Sequence, residues 1–166
     1  MLRKSVAVTV AVLGLLVLPD WSHAQFKQQD WDLTLSGSGS NDKDFRTFSA
    51  SATAGIGYFV ADQLELGLRP SVTIGDGGSE HLYNIGVFAD FHFDIGKFVP
   101  FAGGNIGYQF GSEIAEDGWS AGPEVGLKYF LNNTTYVYGI AQYEFNLNEG
   151  LDSGAFVYGL GLGVKL

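Results

Sequence analysis

The sequence predicts an all-β chain, a closed eight-stranded antiparallel up-and-down transmembrane β-barrel. Three observations predict it. Large apolar residues alternate with small or polar ones in one segment after another, which is the period of a strand and not of a helix. The connections between these segments alternate in character, as the two ends of a meander require. The apolar face is also too bulky to point inward: about forty large groups would overfill eight strands, whose interior is only wide enough to be filled by side chains.

Residues 1–24 lie outside the pattern. Arg3 and Lys4 precede an apolar run from Val6 to Leu18, and Ser22-His23-Ala24 forms a small-x-small cleavage site before Gln25. This reads as a secretory signal peptide, removed after Ala24. Its apolar run is shorter than the ~18 residues expected of a spanning helix. The remaining residues, 25–166, read as one barrel domain. Without the leader the net charge falls to about −10, which argues against nucleic acid as a partner. The chain has no cysteine, so neither a lipoprotein anchor nor disulfides contribute. Most of its 24 glycines lie within aromatic-rich alternating segments, unlike a disordered tract.

Taken in order, the strands are expected at about 31–40, 46–59, 64–74, 82–94, 99–110, 119–130, 134–147 and 154–166. "FVADQLE", "DIGKFVP" and "LNNTT" are tight turns, whereas "SNDKDF", "IGDGGSEH", "GSEIAEDG" and "NEGLDS" are longer and acidic. Chain start, chain end and tight turns therefore share one end. The first strand puts Trp31, Leu33 and Leu35 on one face, and the second puts Ile56 and Tyr58 there. The third contributes Leu64, Leu66 and Leu68, and the middle strands continue with Val87, Phe91, Ile106, Tyr108, Val125 and Leu127. The last strand, "FVYGLGLGVKL", sets six large apolar residues against Val157, three glycines and Lys165.

Turned outward, these residues form a lipid-facing band, and closure satisfies the backbone groups that hydrocarbon cannot. The opposite face is mostly Gly, Ser, Thr, Asn and Gln, and it suits a narrow lumen. Closure pairs the last strand with the first, removing an apolar edge that would otherwise aggregate.

The stretches "GIGYFVADQLELGL" and "VPFAGGNIGYQF" resemble the small bacterial outer-membrane β-barrel family, the OmpX-like and OmpA-transmembrane-like eight-stranded proteins. The first resembles that family's second strand, short periplasmic turn and third strand, and the second its recurrent Pro-aromatic-x-Gly-x-x-x-Gly strand. The resemblance implies location in the outer membrane and assembly by the barrel-insertion machinery. It also implies contact with outer-membrane lipids and lipopolysaccharide, by a monomer. Members commonly end on an aromatic residue. This chain ends on Leu166, which keeps the alternation.

The lumen face carries the sharpest polar constellation: Glu65, Asp90, Glu124 and Glu144 against Arg69, Lys128 and Lys165, with His92 able to join them. Confined charges are costly unless paired, so near-balance of signs predicts an internal salt-bridge network. Such a network is either a plug or a gate for a narrow ion pathway, and the filled interior of eight strands favours the plug. Ser79-Glu80-His81 suggests a hydrolase, such as a lipid A-modifying enzyme, but adjacent loop residues do not make a triad and no oxyanion hole is identifiable. The acidic residues Asp42, Asp44, Asp76, Glu80, Glu113, Glu116, Asp117, Glu149 and Asp152 form a solvated rim without the spacing of a tight cation site. Weak bridging of divalent cations to lipopolysaccharide is its alternative use. No catalytic, metal or cofactor site is expected, and the leading reading is a structural or surface-interaction barrel.

Overall fold

The computed structural model describes residues 25–41, 48–75, 80–111, 117–147 and 154–166. The leader, Ser79 and most of the acidic loop residues lie outside them. Eight strands follow in chain order: β1 Trp31–Asn41, β2 Phe48–Ala61, β3 Leu64–Gly75, β4 Glu80–His92, β5 Phe98–Phe110, β6 Gly118–Phe130, β7 Thr135–Asn146 and β8 Ala155–Lys165. Their bounds agree with the sequence to within about two residues, the usual scatter of strand ends. Each strand pairs antiparallel with the next, and β8 pairs with β1 to close the barrel.

The closing ladder runs from Asp32↔Lys165 to Gly37↔Leu160. Beyond it, Trp31 N–H donates to the Leu166 carbonyl at 3.1 Å and Leu166 N–H to the Trp31 carbonyl at 2.8 Å. On the loop side of Gly37 the ladder stops, so β1 continues there paired only with β2, through Ser38↔Ser51 to Asn41↔Phe48. The tight turns are set by side chains as well as by length. At 131–134, Asn132 Oδ1 accepts from the main-chain N–H of Thr134 and of Thr135, an Asx turn that gives the sequon asparagine a structural use.

The outward face is apolar throughout, with Leu160 75% exposed, Leu35 63% and Leu127 42%. Aromatic residues gather in two belts. Near the turns lie Trp31 against Tyr58, Phe91 against Phe93 and Phe98 against Tyr129; near the loops lie Tyr83 against Phe110, Tyr108 against Trp119 and Tyr143 against Phe156. Trp119 and Tyr129 bound the same strand. About ten residues at ~3.4 Å each, tilted by roughly 40°, put the belts ~25 Å apart, the height of a lipid-facing band.

The inward face corrects one expectation. It is not uniformly small and polar, because Phe59, Phe88, Val99, Phe101, Phe130, Tyr136 and Tyr138 are buried inside the barrel. The cross-strand register explains how they fit. Phe88 lies opposite Gly67, Phe101 opposite Gly126, Tyr136 opposite Gly163 and Tyr138 opposite Gly161. A Cβ at any of these glycines would collide with the facing ring. The glycines of β8 therefore leave space for the aromatics of β7, an arrangement of ring over bare backbone.

Candidate functional site

The polar side chains of the lumen form two layers, and strand direction brings them together. β3 carries Glu65 and Arg69; β6, three strands away around the barrel, carries Glu124 and Lys128. Both pairs are spaced by four residues, so each lies on one face of its strand. β3 runs from turns to loops and β6 runs back, so the two charge orders are complementary across the lumen: Glu65 meets Lys128, and Arg69 meets Glu124.

In the layer near the turns, Lys128 Nζ lies 2.7 Å from Asp32 Oδ2 and 3.0 Å from Glu65 Oε2. Tyr136 hydroxyl donates to Asp32 at 2.6 Å. The Lys128 ammonium also stands over the Phe26 ring, 4.6 Å from its centroid. His92 Nε2 is 3.3 Å from Glu65 Oε2 but lacks hydrogen-bond geometry. Below this layer Phe26, Phe59, Val99, Phe130 and Tyr136 pack into an aromatic floor that fills the barrel.

In the second layer, Arg69 Nη1 donates to both oxygens of Glu124 at 2.9 Å, and its Nη2 lies 3.6 Å from Asp90 Oδ2. Glu124 also accepts from Asn105 at 2.7 Å and from Gln142 at 2.8 Å. The guanidinium lies 4.1 Å from the centroid of Phe88. Toward the loops the lumen opens into a cavity of about 220 Å³ lined by Ser36, Ser51, Thr73, Gln142 and Glu144 among others. Ser51 and Thr73 share a hydrogen bond of 2.7 Å in its wall.

Of the residues singled out in the sequence, Glu65, Asp90, His92, Glu124 and Lys128 are buried in the lumen, Arg69 is half-buried beside the cavity, and Glu144 lines it. Lys165 is not brought to them. It sits at the turn-end rim, 3.6 Å from Asp30 and bonded to the Gln25 carbonyl. Sequence reasoning missed Asp32, although it has the opposite parity to Trp31 and Leu33, and it missed Tyr136, although that has the opposite parity to Val137 on β7. The balance of charge changes accordingly: Asp32 enters, Lys165 leaves, and Arg69 and Lys128 face five carboxylates. His81 is exposed at the loop end of β4, while Ser79 lies outside the described residues. Among the described residues no group of His, Cys, Asp and Glu is placed to hold a metal ion.

No family model matches the chain, and no curated protein matches it. Among solved structures it is similar to the N-terminal β-barrel domain of Pseudomonas aeruginosa OprF, at 20% identity and a TM-score of 0.64 over 84% of this chain and 98% of that one. It is also similar to the outer membrane protein OprG from Pseudomonas aeruginosa, at 15% identity and a TM-score of 0.59 over 87% of this chain and 99% of that one. A third is Neisserial surface protein A, at 15% identity and a TM-score of 0.56 over 82% of this chain and 94% of that one. The chain has the fold of bacterial outer-membrane β-barrels. At these identities the likeness is one of fold, and the charge layers of the lumen stand on this chain's own residues.

Proposed function

We propose that the protein is an integral β-barrel of the bacterial outer membrane with a structural or surface-interaction role and no catalytic activity. It is exported by a leader comprising residues 1–24 and inserted by the barrel-assembly machinery as a monomer. The observation that carries the reading is the inversion of the barrel, with large apolar side chains outside, between two aromatic belts, and ion pairs inside. An outward surface this apolar is far larger than a soluble monomer exposes, and lipid is the solvent that suits it. The aromatic floor and the Lys128 layer fill the turn-side half of the lumen, which supports a plug in place of a channel. The acidic loops face lipopolysaccharide and the exterior.

Single cysteines test the topology. One at Asp117 is expected to react with an impermeant maleimide on intact cells, and one at Asn133 only after the outer membrane is breached. Labelling at Asn133 alone would invert the orientation. A protein that purifies without detergent and is labelled at neither site would remove it from the membrane.

A further inference from the structure

The segment ahead of β1 closes the turn end of the lumen. Phe26 is 1% exposed and stacks on Phe59 with 4.3 Å between ring centroids. The next residues form a compact turn: Lys27 N–H donates to Asp30 Oδ2 at 2.9 Å, and Asp30 N–H to the Lys27 carbonyl at 3.0 Å. Gln29 takes a left-handed φ of 80° and donates to the Phe59 carbonyl at 2.8 Å. Gln28 N–H reaches Asp62 Oδ1 at 2.9 Å.

Gln25 is held at both ends of its main chain. Its nitrogen donates to Asp94 Oδ2 at 2.5 Å, and its carbonyl accepts from Lys165 Nζ at 2.5 Å. The contact is incomplete in one respect: the other carboxylate oxygen, Asp94 Oδ1, is buried and accepts no hydrogen bond among the described residues. Buried polar atoms are almost always paired, and an orphan calls for a missing donor. Asp94 lies beyond β4, and burial raises its carboxyl above the ordinary value, with the Gln25 N–H and Lys165 opposing.

We propose that Asp94 is a binding site for an α-ammonium group, the new N-terminus created at Gln25 when the leader is cut after Ala24. An internal amide offers one proton and no charge. An α-ammonium offers three protons and a positive charge at the same position, so one proton keeps the Oδ2 bond and another serves Oδ1. Leader removal then completes the closure of the lumen, because the cut end locks the Phe26 plug onto the rim. This rests on the reading of residues 1–24 as a leader, which intact mass tests separately: the purified barrel is expected to begin at Gln25.

An N-terminal glutamine offers a selective probe. Unfolded protein treated with glutaminyl cyclase closes its α-nitrogen onto the side-chain carbonyl carbon with loss of ammonia, giving a pyroglutamyl end that carries no ammonium. After refolding, the cyclised wild type is expected to unfold at a lower temperature than the untreated wild type, whereas Asp94→Asn is expected to unfold at one temperature whether cyclised or not. The folded wild type should also react with an α-amine-selective reagent at least about tenfold more slowly than Asp94→Asn, the factor that one pKa unit represents. Equal unfolding temperatures for cyclised and untreated wild type would overturn the proposal even if Asp94→Asn fails to fold. A mature chain beginning elsewhere would instead refute the cleavage site.

Discussion

The two halves of the lumen are built from the same alternating strands and hold their charges differently. On the turn side, Lys128 and Asp32 are enclosed, with side chains 4% and 0% exposed, above an aromatic floor. On the loop side, Arg69 is 18% exposed beside a hydroxyl-lined cavity, and β1 and β8 no longer pair. A dry pair and a partly wet pair therefore sit one layer apart on β3 and β6. Closure of the backbone does not by itself decide whether a barrel is filled; that depends on which inward positions carry rings and which carry hydroxyls.

The contrast can be broken by removing one cation at a time. Lys128→Met leaves Asp32 and Glu65 buried without their cation, and the expected loss is about 3–5 kcal/mol in urea unfolding of the detergent-folded barrel. Arg69→Met also strands buried carboxylates, but Arg69 itself lines the cavity, so water is expected to follow into the space it leaves. The loss expected there is about 1.5–3 kcal/mol, the range for hydrogen bonds to charged groups. Equal losses at the two positions would mean that the halves are equally hydrated.

Two smaller substitutions probe the same two halves. Tyr136→Phe removes one donor from Asp32 but keeps the ring over Gly163, so about 1.5 kcal/mol is expected. Ser51→Ala removes a hydroxyl pair in the cavity wall, where Thr73 can turn to water, and about 0.5 kcal/mol is expected from the same unfolding curves. Reversal of that order would place the drier environment at the loop end.

Much of the fold was legible because a period of two is unambiguous where large and small residues alternate, as in β8 and β6. The inward aromatics were harder to read. On β7, Tyr136 and Tyr138 stand among Val137 and other apolar residues, and only the parity shared with Gln142 and Glu144 marks them as inward. Phe26 precedes the first strand, in a segment with no periodicity at all. The pairing of Glu65 with Lys128 and of Arg69 with Glu124 depends on how strands three apart align across the barrel, and spacing within one strand does not carry that. Lys165 has inward parity, but its ammonium turns to the Gln25 carbonyl and toward Asp30 at the rim, while Asp32, its partner in the closing pair, turns its carboxylate to Lys128.

The turn-side half of the lumen is shut by its own side chains. Planar-bilayer recording of the purified, detergent-folded protein, with the folded state verified by its shift in SDS mobility on boiling, decides whether it is. A silent membrane is expected at applied voltages of either sign. Steady openings of reproducible conductance from the folded protein would contradict it.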